Sequence, residues 1–128
     1  GLKRALADVH RVDTAALLLG NGSHELLMQF AQVFAGAEDE VVASKFGFAV
    51  YALAAQAAGA AFRPAPAQPR HAAMPRGHDL PALRAAVGPR TRLVYLANPN
   101  NQIDPSVVLL PNRQQNNVEL IDVAGVTQ

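Results

Sequence analysis

The chain has 128 residues, half of them hydrophobic, and a formal net charge of +1, enough for one modest domain with a buried core. This balance leaves no electrostatic footprint for nucleic acid or an acidic membrane surface, and no apolar run approaches the roughly 20 residues that span a bilayer. The absence of cysteine excludes disulfides, thiolate chemistry and Cys-based zinc sites.

The start, Gly1-Leu2-Lys3-Arg4, leads into an amphipathic pattern rather than a signal peptide. The expectation is a cytoplasmic protein, and the lack of an initiating Met leads us to expect a fragment. Leu2, Ala5, Leu6 and Val9 recur at helical spacing, which predicts a helix over 2–10, broken by Asp13 and Thr14. The continuous apolar run Ala15 to Leu19 reads as a buried strand. Ser23 to Ala35 is the clearest helix. Leu27, Phe30, Ala31 and Phe34 fall on one stripe, Leu26 and Val33 widen it, and Gly36 stands where a left-handed residue closes a helix.

Glu40 to Ala43 is strand-like, and Phe48 to Ala58 is an almost wholly apolar helix stopped by Gly59. Such a helix is buried on most sides, in a layered fold or at a subunit contact. Ala60 to Arg63 reads as a short strand, and Pro64 to Gly77 as a proline-punctuated loop. Asp79 is an N-cap for a helix over Leu80 to Val87, closed by Gly88-Pro89, and Thr91 to Ala97 is the best strand. The segment 102–128 changes character, being rich in Asn and Gln. Asp104-Pro105 is a short-helix start and Val118 to Ile121 a strand. Strands alternating with helices predict an α/β fold: a layered, mostly parallel sheet with flanking helices.

Three stretches carry chemistry. "GNGSHELL", Gly20 to Leu27, sets a glycine-rich turn before a helix N-terminus. First-turn amides have no intrahelical partner and the helix dipole adds partial positive charge, so the turn can hold an anion. Gly22 permits close approach, and Ser23 can cap the helix or donate its hydroxyl. The plain alternative is a capped helix after a tight turn. "NPNN", Asn98 to Asn101, follows the best strand, where open α/β sheets place ligands; Asn and Pro are also ordinary turn residues. In "KFGFAVY", Lys45 to Tyr51, an aromatic ring can stack on a flat ligand, or Phe46, Phe48 and Tyr51 can simply be core. Lys45 reads as a solvated lysine. His10, His24, His71 and His78 show no ligand spacing; His10, His71 and His78 read as surface or loop residues.

Taken together, "LLLGNGSHELL", "EVVASKFGFAVYALAAQAAGA" and "GHDLPALRAAVGPRTRLVYLANPNN" resemble, in order and spacing, the histidinol-phosphate aminotransferases of the fold-type I pyridoxal 5'-phosphate (PLP) enzymes. The resemblance covers residues 2–101 and implies a partial PLP-binding large domain over 1–101, with a divergent tail over 102–128. It implies that Gly22, Ser23 and His24 hold the cofactor phosphate. The family has Asp or Asn where His24 stands, so the backbone amide is the group carried over. Phe48 matches the aromatic residue that stacks on the pyridine ring, and Asn101 the asparagine bonded to the phenolic oxygen. Asp122, in "LIDVAGV", is a weak match to the aspartate that pairs with the pyridinium nitrogen.

At Gln102 the resemblance breaks, since the family continues Pro-Thr-Gly. The family's Schiff-base lysine has no match, because Lys3 and Lys45 are the only lysines. The implied activity is amino transfer between glutamate or 2-oxoglutarate and imidazole-acetol phosphate, in a homodimer acting on a small-molecule substrate. The chain alone is then expected to be inactive. The competing readings are a threonine-phosphate decarboxylase of the same fold, a non-catalytic phosphate- or PLP-binding module, and a structural α/β domain.

Overall fold

Hydrophobic alternation along the strands builds the molecule in layers. The computed structural model describes residues 1–98 and 117–122. Helix α1 (Leu2–His10) is followed by a 3₁₀ turn (Thr14–Ala16), α2 (Ser23–Phe34), β1 (Glu40–Ser44), α3 (Val50–Ala57), β2 (Ala61–Ala65), α4 (Leu80–Ala86), β3 (Thr91–Asn98) and β4 (Asn117–Asp122). The sheet order is β2-β1-β3-β4. β1 runs parallel to both β2 and β3, while β4 joins β3 antiparallel. The mostly parallel α/β fold expected from the pattern is the one observed.

β1 is central and flanked on both sides, so Val41, Val42 and Ala43 are all fully buried. That is the near-continuous apolar composition of a strand covered on two faces. Successive side chains alternate between faces. Val41, Ala43, Leu93 and Tyr95 join Leu27 and Ala31 of α2 and Tyr51, Ala54 and Ala55 of α3. Val42 and Val94 instead meet Leu83 and Ala86 of α4. Alanines at 31, 54 and 55, each fully buried, bring α2 and α3 close without large side chains between them.

The helix boundaries follow local chemistry. Asp79 caps α4 by accepting from the Ala82 amide at 3.0 Å, as its position predicts. Gly59 ends α3 with φ +74, where its amide donates to the Gln56 carbonyl and that of Ala60 to Ala55. Gly36 does not play the same part for α2. The helix ends at Ala35 in an extended conformation, and the Gly36 amide donates to Asp39 Oδ2 at 2.9 Å instead. The apolar stripe of α2 is also narrower than the periodicity implies: Leu27 and Ala31 are buried, whereas Val33 and Phe34 are largely exposed, with Phe34 stacked on Phe30.

The run Ala15 to Leu19 corrects the strand reading. Asp13 accepts from the Ala15 amide at 2.8 Å and bends Thr14–Ala16 into a 3₁₀ turn. Leu18 and Leu19 then stand exposed at 54% and 43%. Apolar composition sets the preference for burial, but a strand also needs a ladder partner, and no described strand pairs with this run. The strand expected at Val118 to Ile121 is present as β4. The short helix expected at Asp104-Pro105 lies outside the described residues.

The core is closed by two tyrosines. Tyr51 and Tyr95 stack with ring centroids 4.6 Å apart and planes 10° from parallel, and the Tyr95 hydroxyl donates to the Leu27 carbonyl at 2.5 Å. Burial raises the pKa of Tyr51 and pushes that of Tyr95 up to about 12 from the ordinary 10.0, because the phenolate is poorly solvated there. The folded state therefore holds these protons more tightly than the unfolded chain. Their contribution to stability is complete below pH 10 and declines as pH rises toward 12. Urea unfolding across that interval is expected to show the decline, and Tyr95→Phe to make it shallower. At neutral pH, Tyr95→Phe is expected to cost about 1 kcal/mol through the lost hydrogen bond.

Candidate functional site

The turn before α2 is shaped by three neighbouring residues. Gly22 takes φ +84 and ψ 173 as the N-cap position, with no side-chain cap bond. A Cβ on Gly22 would meet nothing within 4 Å, so the space above this turn is open. Gly20 differs: a Cβ there would stand 2.7 Å from Leu26 Cδ2, so the leucine closes over the turn. Glu25, in the first turn of α2, accepts from the Asn21 amide at 2.5 Å and from Gln29 Nε2 at 3.2 Å. Sequence reasoning passed over Glu25, although a Glu in the first turn after a glycine-rich entry is the signal of a reciprocal cap.

Ser23 is the first helical residue rather than the cap, and Gly22, Ser23 and His24 are all exposed. Their amides face outward from a helix start, where backbone donors lack intrahelical acceptors and the dipole is positive. Leu27 lies four residues into α2, about 6 Å along the axis from Ser23. Its carbonyl holds the Tyr95 hydroxyl, and Tyr95 is three residues short of the end of β3. The Gly22 turn therefore stands on the side of the sheet where β3 finishes.

Phe48 is attached to the tyrosine stack. It lies just before α3, 36% exposed, and meets Tyr51 edge-on with centroids 6.0 Å apart and planes at 87°. Tyr51 thus belongs to the core, while Phe48 is supported at one edge and open to solvent elsewhere. Gly47 permits this bend, since a Cβ there would come within 2.9 Å of the Ser44 carbonyl. Phe46 is half-buried under the Arg76 guanidinium, 5.1 Å from its ring centroid. Lys45 is exposed at the end of β1, as expected for a solvated lysine.

Asn101 lies outside the described residues. Asp122 is placed by the ladder. β4 enters antiparallel, so Asn117 pairs with Asn98 and Asp122 with Leu93, five ladder positions and about 17 Å from the end of β3. The resemblance offers Asp122 as a weak match to the aspartate that pairs with the pyridinium nitrogen; the reversed direction of β4 puts its backbone at the end of β3 away from Asn98.

His78 lies in the loop before α4, as read, but is not simply a surface residue. It is half-buried, its Nε2 bonds the Ala97 carbonyl, and its Nδ1 is buried without a partner among the described residues. It thereby ties the entry of α4 to the end of β3. Its only sequence signal is its place beside the Asp79 cap. His10 and His71 are exposed, as read. No group of three or more metal-ligating side chains occurs among the described residues. No helix there is long and apolar enough to cross a membrane.

Comparison with known proteins gives this geometry a setting. Residues 1–103 match the family model described as Aminotransferase class I and II. Histidinol-phosphate aminotransferase 2 of Hydrogenovibrio crunogenus is 45% identical over 100 residues, covering 78% of this chain and 25% of that protein. The histidinol-phosphate aminotransferase of Erythrobacter litoralis is 46% identical over 78% of this chain and 26% of its own length. Among solved structures, histidinol-phosphate aminotransferase from Sinorhizobium meliloti in complex with pyridoxal-5'-phosphate superposes with a TM-score of 0.65 at 33% identity, over 78% of this chain and 26% of that one. The chain spans about a quarter of the length of the curated relatives it matches.

The Gly22 turn yields a direct test. A φ of +84 with ψ 173 is a region open almost only to glycine. Gly22→Ala is expected to destabilise the fold by about 1–3 kcal/mol, measured by urea unfolding followed by circular dichroism.

Proposed function

The chain belongs to the aminotransferase class I and II family, and from that premise we propose that it forms the phosphate- and ring-binding part of a PLP-dependent aminotransferase resembling the histidinol-phosphate enzymes. The observation that carries this reading is the Gly22 turn: open space where a Cβ would stand, above first-turn amides that have no side-chain cap. Such a cradle fits a phosphate ester, because oxyanions reach backbone donors only where no side chain intervenes. The amides of Ser23 and His24 bind the phosphate, and Glu25 fixes the turn by holding Asn21. Phe48 covers one face of the ring, held in angle by Tyr51. Asn101 supplies an amide to the phenolic oxygen, following the resemblance, while Asp122 takes no part.

PLP, when bound, supplies an electron sink that lets a proton leave and return at the carbon bearing the amine. Moving that proton requires a base within reach, and neither Lys3 nor Lys45 matches the family's lysine. We propose that residues 1–101 are a partial large domain and 102–128 a divergent tail, and that the chain alone binds without turnover. The whole protein, on this reading, is a cytoplasmic homodimer that transfers the amino group of glutamate to imidazole-acetol phosphate in histidine biosynthesis. Exposed Leu18, Leu19 and Leu53 support association with further protein surface.

Titration of the chain with PLP, followed by backbone amide shifts, is expected to saturate with changes centred on Gly22 to His24. Phe48→Ala is expected to weaken binding by up to about tenfold. Borohydride reduction of the mixture should leave no lysine labelled stoichiometrically. Stoichiometric label on Lys45 would overturn the lysine-free reading, and shifts that spare the Gly22 turn would overturn the cradle.

A further inference from the structure

The carboxyl end of β3 extends past its parallel neighbour. Pairing with β1 ends at Ala43 opposite Tyr95, although β3 runs on to Asn98. Over Leu96 to Asn98 the only described ladder partner is β4. Strand ends with fewer partners open at lower cost. At this overhang His78 bonds the Ala97 carbonyl through Nε2. A carbonyl only accepts, so Nε2 carries the proton and donates it. The ring thus supplies a donor to a carbonyl that lies past the end of the β1 ladder.

His78 is mounted firmly enough to hold that carbonyl. Before it, the Gln68 amide donates to the Gly77 carbonyl at 2.9 Å, and the Arg76 amide to the Gln68 carbonyl at 3.1 Å. His78 itself forms an antiparallel bridge with Ala67. After it, Asp79 caps α4 by accepting from the Ala82 amide at 3.0 Å. Leu83 and Ala86 of that helix pack on Val42 and Val94 of the sheet. The residue is therefore fixed from both chain directions. Packing alone does not account for a histidine here. Its Nδ1 is buried without a partner among the described residues, and a buried acceptor left unpaired is destabilising. An apolar ring would fill the space with no unpaired atom. What the imidazole adds is the Nε2 donor.

We propose that His78 is a positioning residue: through the Ala97 carbonyl it sets the direction in which the chain leaves β3 at Asn98. Its use rests on the cofactor reading, in which the stretch that begins at Asn98 meets the ring of PLP while Gly22 to His24 hold the phosphate. His78 acts on the ring end of that site and leaves the phosphate end alone.

The experiment compares three variants of the full chain. His78→Gln keeps a donor with the reach of Nε2, His78→Asn places its nitrogen where Nδ1 stands and falls short, and His78→Phe fills the space with no donor. Amide hydrogen exchange over Leu96 to Asn98 is expected to speed severalfold in His78→Phe and His78→Asn. Exchange over Leu93 to Tyr95 should stay as in the parent, and His78→Gln should resemble the parent throughout. Titrations with PLP and with inorganic phosphate, followed by amide shifts, separate the two ends of the site. His78→Phe is expected to weaken PLP severalfold and to leave phosphate at Gly22 to His24 unchanged, a split that general loss of folding does not produce. Should His78→Phe fail to fold, the contrast between His78→Gln and His78→Asn decides. Unchanged exchange over Leu96 to Asn98 in folded His78→Phe refutes the proposal, as does unchanged PLP affinity where the parent binds PLP. A parent chain that binds no PLP refutes the cofactor reading instead, and exchange alone then decides the role of His78.

Discussion

The stack of Tyr51 on Tyr95, with the Tyr95 hydroxyl bound to the Leu27 carbonyl, is the constraint on which the arrangement of the site rests. It joins three elements that are far apart in sequence: the first turns of α2, the start of α3 and the middle of β3. Each brings a different candidate function. α2 carries the open amides, α3 is preceded by Phe48, and β3 runs into the Asn98–Asn101 stretch. A fully buried tyrosine pair is costly to move, because close-packed interiors transmit displacement rather than absorb it. Two rings 4.6 Å apart thus fix the relative positions of groups that their own loops could not fix alone.

The strand alternation explains why that pair can exist. One face of β1 and β3 supplies Val41, Ala43, Leu93 and Tyr95 to the layer shared with α2 and α3. The other supplies Val42 and Val94 to α4. Alanine on the helices leaves room for large rings on the sheet side, so the aromatic scarcity of the composition is offset by placing both tyrosines in one layer. The same parallel order sends the ends of β1, β2 and β3 to one edge. At the opposite end, Glu40 and the preceding Asp39 are matched by arginines.

Much of this was legible in the sequence because it depends on local chemistry. The Asp79 cap, the Gly59 stop and β3 each follow from one or two residues and their immediate neighbours. Gly22 likewise announces its backbone conformation. What the pattern missed depends on partners. Ala15 to Leu19 has the composition of a buried strand, but composition does not name a ladder partner, and Asp13 redirects its first residues into a 3₁₀ turn. Asp122 ends the strand expected over Val118 to Ile121, yet strand direction, which periodicity does not encode, decides which end of the sheet it occupies. Val33 fits the helical stripe of α2 but lies beyond the width that α3 covers. His78 looks like a loop residue because nothing in its neighbours reveals that the end of β3 passes beside it.

Left-handed backbone occurs at two kinds of position. Four described residues have φ between +54 and +84. Arg11 and Gly59 close α1 and α3, where a left-handed residue satisfies helix-terminal carbonyls and needs no other account. Gly22 and Arg76 close no helix. Gly22 opens one, with empty space above it, and Arg76 bends a loop back on Gln68. A left-handed arginine costs about 1 kcal/mol relative to an ordinary conformation, and its stacking on Phe46 contributes about the same in the opposite sense. The conformation is therefore held at little net cost, and its effect is to keep the guanidinium over the Phe46 ring.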